Sequence, residues 1–234
     1  MPSPIRLFLL ICALGMGVPA FAGDGHPPNA ITVSGEGRVA AVPDQATVMT
    51  GVETRADSPA AALEANSLAA NALFEVLKKH GVEPRDIQTS GFNLSPEYRH
   101  LPDSGEMQLL GYTVNNQLAI LVRDLDRLGV LLDALVQAGS NRMSGIEFSH
   151  SGIQALTDTA RRAAIVDARR RAELYAEAAG VRLGAVLSIA EQGADFPQPM
   201  FRAVAMDEMG GVPVAAGEQQ IQANVQVSYA LEQD

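Results

Sequence analysis

The residues of this sequence best suited to catalysis by their chemistry are a histidine and the two serines beside it. Ser149, His150 and Ser151 combine hydroxyl nucleophiles with a general base, the pairing that serine hydrolases use. A catalytic serine usually lies in a strained turn such as G-x-S-x-G, and the sequence around His150 lacks that motif. A serine, a histidine and an aspartate brought together by folding stay open as an alternative, but the local pattern predicts no catalytic residue.

The remaining histidines do not indicate a metal site. They are His26, His80 and His100, and no two histidines of the chain lie two, three or four residues apart, which is the spacing of local zinc ligands. Because local ligand pairs are missing, the sequence predicts no histidine metal site.

Three methionines, Met200, Met206 and Met209, offer thioether ligands that suit Cu(I). No histidine or cysteine accompanies them, and methionine more often fills irregular gaps or adaptable contact surfaces. We therefore predict no bound metal and no other cofactor.

Residues 35–40 read G-E-G-R-V-A, which fits the loose dinucleotide pattern G-x-G-x-x-A. That pattern needs a helix N-terminus directly after it, because helix amides hold the pyrophosphate. Residues 39–43 continue instead as a strand that ends at Pro43. The two glycines are better explained as giving a strand room to bend or bulge.

A cluster of arginines on a long predicted helix could bind an anion or a lipid headgroup. Its spacing favours a solvated face, because acidic residues stand four positions away from several arginines. The expected pairs are Asp158 with Arg162, Asp167 with Arg171, and Arg169 with Glu173.

The N-terminus predicts export. Arg6 precedes an apolar run over residues 7–18, and small residues stand at Ala20 and Ala22, so we expect a secretory signal over residues 1–22 with cleavage after Ala22. The apolar run is too short for a membrane span. The only cysteine, Cys12, lies within this signal, and a lipoprotein processing site is disfavoured by the bulky residue before it. The mature chain then has neither a disulfide nor a thiolate.

Composition narrows the class of protein further. The chain has 234 residues, 47% of them hydrophobic, and 27 acidic against 17 basic residues give a net charge of −10. Such a surface repels nucleic acid, so we expect no nucleic-acid partner. Residues 23–29 are polar and rich in Pro and Gly, and we predict a disordered leader there.

Periodicity predicts the elements that position these residues. Alternating patterns predict strands over 31–42, 46–55, 87–98, 109–122, 143–150, 185–191 and 221–231. The first helix runs from the Ser58-Pro59 cap to Gly81, with Leu63, Ala70, Leu73, Phe74 and Leu77 on its apolar stripe. A second helix is capped by Asp124 and ends near Ala138. The third spans 154–179, with a small-residue stripe of Ala160, Ala164, Ala168, Ala172, Tyr175 and Ala179.

These elements predict an antiparallel α+β fold with two subdomains. We place the first over about 30–110 plus 218–232 and the second over about 111–192. The first two strands are expected to form a hairpin, and the C-terminal strand to return to it. Residues 194–217 form an irregular connection whose apolar content suggests contact with a neighbouring subunit.

Several of these stretches together resemble one family. They are ITVSGEG at 31–37, VPDQA at 42–46, EPRDIQT at 83–89, GYTV at 111–114, DARRRA at 167–172 and the strand near 186–189. In order and spacing they are similar to SIMPL domain proteins over about residues 30–232. The resemblance implies an α+β protein of the periplasm, linked to envelope and oxidative-stress phenotypes, with no catalytic residues. It also implies self-assembly in some members, and it leaves peripheral association with the outer membrane open.

The sequence thus favours a non-enzymatic, exported homo-oligomer with a role in envelope or oxidative-stress defence. The alternative is a monomeric periplasmic module that binds a small ligand or peptide between its subdomains. Protection against oxidants would be indirect, because the mature chain offers only thioethers and a few aromatic rings to react with them.

Overall fold

A computed structural model describes residues 29–102, 105–193, 198–200 (backbone only), 212 and 214–233. The chain alternates strands and helices, and every strand pairing within the described residues is antiparallel. This is the predicted antiparallel α+β class. The elements are β1 (Ala30–Ala41), β2 (Gln45–Ala56), α1 (Pro59–Lys79), β3 (Ile87–His100), β4 (Met107–Val122), α2 (Leu128–Gln137), β5 (Arg142–Ser149), α3 (Ile153–Ala178), β6 (Arg182–Glu191), β7 (Gln198–Met200) and β8 (Glu218–Glu232).

Two sheets contain all of these strands. In the first sheet the order is β1-β8-β6, with β7 also paired to β8, and in the second it is β3-β4-β2-β5. The C-terminal strand does return to the N-terminal one: β8 pairs with β1 from Ala30↔Ala230 to Ala41↔Gln219. This central strand carries the cleanest alternation in the sequence, and its odd-numbered residues Ile221, Ala223, Val225, Val227 and Tyr229 are buried.

The predicted hairpin between the first two strands is wrong. β1 belongs to the first sheet and β2 to the second, where β4 and β5 occupy both of its sides. The link Val42-Pro43-Asp44 has no residue at positive φ, which the tight turns of two-residue hairpins require. The chain therefore passes from one sheet to the other at this link.

The sheets also divide the chain differently from the predicted subdomains. The predicted border near residue 111 falls inside β4, which pairs with β2 and β3 on its two sides. Helices α1 and α2 cover the second sheet around a core that includes Val48, Leu73, Ile120 and Leu132. Helix α3 covers the first sheet around a second core of β1, β8 and α3 residues.

Helix α1 begins as predicted, because Ser58 accepts a hydrogen bond from the Ala61 amide and Pro59 occupies the first turn. Its buried stripe holds Ala62, Asn66, Ala70, Leu73 and Leu77, whereas the predicted members Leu63 and Phe74 are 41% and 38% exposed. Asp124 does not cap α2 through its side chain. A short 3-10 turn over Leu125–Arg127 intervenes, and α2 begins at Leu128.

Helix α3 packs onto the first sheet through alanines spaced four residues apart. They are Ala160, Ala164, Ala168, Ala172 and Ala176. Tyr175 and Ala179 were predicted on this stripe, but both are exposed because they lie one position off the four-residue spacing. Gly35 and Gly37 of β1 face the stripe, and a Cβ at Gly37 would lie 1.9 Å from the Ala160 carbonyl oxygen. These glycines therefore serve close approach of a helix, rather than a bend in the strand.

Part of the connection over 194–217 lies within the described residues. Gln198–Met200 form β7, and Val214 packs against the core of the second sheet. Gly129 of α2 lies so close to Val212 that a Cβ there would be 2.6 Å from the Val212 carbonyl oxygen. The predicted signal, all of the predicted leader except Asn29, and residues 201–211 lie outside the described residues. Contact between the connection over 194–217 and a neighbouring subunit stays a prediction.

Candidate functional site

Folding brings an aspartate to the histidine and serine singled out in the sequence. Asp44, in the link between β1 and β2, accepts hydrogen bonds from the Ser151 hydroxyl at 2.6 Å and the Ser151 amide at 2.7 Å. His150 Nδ1 lies 3.7 Å from Asp44 Oδ2 and accepts the Gly152 amide at 2.9 Å. Asp44 is the member of this group that sequence reasoning missed, because it lies 107 residues before Ser151.

The hydrogen bonds of this group are not those of a hydrolytic triad. In a triad the carboxylate accepts the Nδ1 proton of the histidine, and the other ring nitrogen accepts the serine hydroxyl. Here Nδ1 itself accepts an amide, and the Ser151 hydroxyl donates to Asp44. The hydroxyl bond of Ser151, followed by its amide bond, lowers the pKa of the Asp44 carboxyl. The arrangement joins the β1–β2 link to the connection between β5 and α3, and it leaves the serine unactivated.

The other sequence candidates do not converge on one place. His80 is the C-cap of α1 and His100 ends β3, whereas His26 and the side chains of Met200, Met206 and Met209 lie outside the described residues. Among the residues that the structure describes, no group of three or more His, Cys, Asp or Glu side chains could hold a metal ion.

Four arginines of α3 are held in ion pairs: Arg161, Arg169, Arg170 and Arg171. Asp167 pairs with Arg171 as predicted and also with Arg170, and Arg169 pairs with Glu173. Asp158 pairs with Arg161 instead of the predicted Arg162, because the three-residue spacing also places side chains on one face of a helix. These pairs support the interpretation of the cluster as a solvated, charge-balanced face.

Asp167 has a second contact that the sequence did not suggest. Its Oδ2 accepts the backbone amide of Glu36 in β1 at 3.1 Å. The Arg170 hydrogen bond, followed by this amide and by Arg171, lowers the pKa of the Asp167 carboxyl despite partial burial. The carboxylate thus fastens α3 to the outer edge of β1.

A small cavity of about 110 Å³ lies where the end of α1 meets the end of β4. Asp86 in its wall accepts two hydrogen bonds from Arg123, at 3.0 and 2.8 Å, and the first cause of the lowered Asp86 pKa is this arginine. Sites for small organic ligands usually measure about 300–1,000 Å³. Its wall is formed by residues within 80–86 and 121–131, one group from each predicted subdomain, so it lies where the binding-module alternative places a ligand, but its volume falls below that range.

The feature that stands out is a two-stranded projection of the second sheet, which we name the arm. The pairing of β4 with β2 ends at Tyr112↔Ala56, whereas its pairing with β3 continues to Met107↔His100. In the described part of the chain, residues 97–102 and 105–111 therefore extend beyond β2 with only each other as strand partners. The arm begins at Gly111, whose φ of 149° is readily adopted only by glycine.

The arm exposes large apolar side chains. Tyr98 and Leu109 are register partners and are 51% and 45% exposed, and Met107 is 60% exposed. Phe92 and Leu94 extend the apolar surface along β3 towards the sheet and are also exposed. A two-stranded ribbon is marginally stable in water without further packing, and contiguous apolar surface usually marks an interaction site. The sequence predicted strands over 87–98 and 109–122 and so missed the outer part of the arm, and it gave no sign that β2 ends before the arm begins.

Comparison with known proteins agrees with the family resemblance. Residues 31–229 match the family model SIMPL, described as a protein of unknown function (DUF541). The chain belongs to the SIMPL family. The matched range covers the arm, most of both sheets and helices α1, α2 and α3.

The similarity to relatives in this family extends over most of this chain and most of each relative. The 26 kDa periplasmic immunogenic protein of Brucella melitensis is 33% identical over 226 residues, which are 92% of this chain and 90% of the relative. The uncharacterized protein YggE of Edwardsiella ictaluri is 33% identical over 85% of each chain. YggE of Escherichia coli K12 is 29% identical over 95% of this chain and 90% of its own.

The names of these SIMPL relatives give a cellular location for one of them and an activity for none. The Brucella relative is named for the periplasm, and none of the three names describes an enzyme. Among the described residues, the SIMPL protein has no helix both long and apolar enough to cross a membrane.

Proposed function

We propose that this SIMPL protein is an exported periplasmic protein without catalytic activity that self-associates through its arm. The arm carries the proposal because it exposes apolar side chains on a ribbon that no further strand flanks in the described part of the chain. Its contribution to envelope or oxidative-stress defence then follows from assembly, because the groups gathered around Asp44 lack a catalytic arrangement.

A second copy is a suitable partner for the arm. Covering the exposed parts of Tyr98, Met107 and Leu109 contributes on the order of 1 kcal/mol for each side chain. Contact between two arms buries these three side chains on each copy, because a two-fold interface uses the same patch on both subunits. The charge on the arm is also partly balanced, because Glu97 pairs with Arg55 of β2. Apolar contact thus works against the repulsion between copies that each carry a net charge of −10.

The test is the solution mass of the protein by light scattering at low and high salt. We expect a discrete multiple of the subunit mass at both salt concentrations, since an apolar interface survives the screening of charges. The double variant Met107→Lys/Leu109→Lys should lower that mass. A matched control is Leu68→Lys/Val166→Lys, which changes two apolar side chains exposed on helices α1 and α3. A monomer at both salts, or an arm variant with the mass of the control, would refute the proposal.

The alternative of a monomeric binding module gains no support from the cavity, whose volume is about 110 Å³. If the protein is nevertheless monomeric, a thermal-shift screen of small ligands tests that alternative directly, because a ligand bound to the folded state raises the melting temperature.

A further inference from the structure

Strand β6 is an unprotected edge of the first sheet. It pairs with β8 on one side, and in the described part of the chain no strand pairs with its other side. All seven residues from 185 to 191 are exposed, including Val186, Leu187 and Ile189 at 51%, 48% and 57%. An exposed edge of this kind offers unpaired backbone groups as a template for another strand.

The opposite edge of the same sheet is covered. Helix α3 packs over β1, and the Asp167 carboxylate accepts a hydrogen bond from the outward-facing Glu36 amide. In the second sheet, the edge strand β3 contains Pro96, a residue that blunts strand pairing. Strand β6 has bulges near Gly184 and Leu187 but neither a charged residue nor a proline from Leu183 to Ala190.

The apolar side chains of β6 continue the core of the first sheet past the helix that covers it. Val186 and Ile189 are the register partners of Tyr229 and Val227, which are 3% and 0% exposed beneath α3. The buried alanines of α3 pack with residues of β1 and β8, so the same face of the sheet is left open at β6. A further strand beside β6 would extend the sheet and add neighbours to this open apolar face.

We propose that the outer edge of β6 pairs antiparallel with β6 of a second copy. The proposal deepens the proposed self-association and adds an interface distinct from the arm. Pairing of two β6 strands about a two-fold axis joins the first sheets of both copies into one continuous sheet with the central order β1-β8-β6-β6-β8-β1.

The charges at the two ends of β6 favour a second copy as the partner strand and an antiparallel alignment. Arg182 stands at one end of β6, near Glu232, and Glu191 stands at the other end, bound to Arg161. Antiparallel alignment places the Arg182 end of one copy beside the Glu191 end of the other, whereas parallel alignment places like charges together. The described residues that follow β6 do not pair with its outer edge: the Gln192 amide bonds to the Asn224 carbonyl, and β7 pairs along β8.

Cysteine crosslinking tests the pairing in the full chain, with Cys12→Ser as the background. Residues 185–190 are replaced by cysteine one at a time and the proteins are oxidised, with Ser67→Cys on exposed α1 as the control for the Ser188→Cys variant. Opposed residues of antiparallel strands lie about 4.5–5.5 Å apart at Cα, within reach of a disulfide. Antiparallel pairing about a two-fold axis predicts crosslinked dimer concentrated at one or two adjacent positions. Equal crosslinking at all six positions would indicate parallel pairing and overturn the proposal, as would crosslinking no stronger than in the Ser67→Cys control.

A second variant separates this proposal from the self-association through the arm. Ile189→Lys should halve the solution mass or remove one step of assembly, whereas Val166→Lys on α3 should leave the mass unchanged. If Met107→Lys/Leu109→Lys lowers the mass but the β6 cysteines do not crosslink, the arm stands and the β6 pairing fails. If the crosslink persists when the arm variant has no effect, the β6 pairing stands and the arm fails. Loss of mass in Ile189→Lys without any β6 crosslink would assign the edge to a different segment and refute the β6–β6 contact.

Discussion

Replacing Gly37 with alanine should separate α3 from the first sheet. The new Cβ would lie 1.9 Å from the Ala160 carbonyl oxygen and 2.5 Å from the Ala164 amide nitrogen. Ordinary van der Waals contact begins near 3.4 Å, so the helix has to retreat by about 1.5 Å. Both obstacles are backbone atoms, and no change of rotamer relieves the clash.

The retreat weakens the packing of every alanine on the buried stripe of α3. A gap of about 0.5–1 Å already removes a quarter to a half of the attraction between packed atoms. Overpacking in a core commonly destabilises a protein by about 1–3 kcal/mol. We expect Gly37→Ala to lie at the upper end, at about 3 kcal/mol, because a whole helix face is displaced.

Urea unfolding measures this loss of stability, and Gly145→Ala on β5 is the matched control. A Cβ at Gly145 meets no atom within 4 Å, so the control should be neutral or stabilise the protein by about 0.4–1 kcal/mol through the unfolded state. Hydrogen exchange should locate the loss of protection in α3 and β1. The reasoning is refuted if Gly37→Ala destabilises no more than the control, or if Ala160→Gly restores the stability of Gly37→Ala.

Three further predictions follow from other contacts. The pKa of Asp167 is lowered in the folded protein, so its charge stabilises the fold above the unfolded pKa of about 3.9, and this contribution is lost as pH falls through the folded pKa. Asp167→Asn should therefore be less stable than the wild type near pH 7 and approach it near pH 2, in urea titrations at both pH values; a constant difference would contradict this. Asn66→Ala removes two buried amide donors to the Val52 and Val114 carbonyls and should destabilise by about 2 kcal/mol in the same assay, whereas the exposed Ser67→Ala should have little effect. Truncation after Gly217 removes β8, the partner of β1, β6 and β7, and should abolish a cooperative thermal transition by circular dichroism; an unchanged melt would show that the first sheet does not depend on β8.

The sequence predicts elements well where local chemistry determines them. The third helix was predicted over 154–179 and is observed over Ile153–Ala178, because its periodicity is long and Gly180 follows it. Ser58 and Pro59 likewise fix the start of α1 through a cap and a favourable first turn. The alternation of β8 identifies both the strand and its buried face.

Pairings and close approaches escape local reasoning, because their partners lie far along the chain. The alternation of β1 and β2 shows that both are strands, but only the whole topology separates them into two sheets. The role of Gly37 depends on Ala160, more than a hundred residues later. The arm is similar: the residues of β4 identify a strand, but their exposure follows from where β2 ends. Asp44 shows the same limit at the candidate site, since its partner Ser151 is 107 residues away.

The register between β1 and β8 has a consequence for the order in which the chain folds. Ala30 pairs with Ala230, so nearly the whole chain must be available before the first sheet can close. Contacts between residues so distant in sequence slow folding, because a long loop must be closed first. At synthesis rates of about 10 residues per second, β1 waits on the order of 20 s for its partner strand. Until then β1 lacks its partner strand and the alanine face of α3 lacks half of the surface that buries it, so both stay accessible to chaperones.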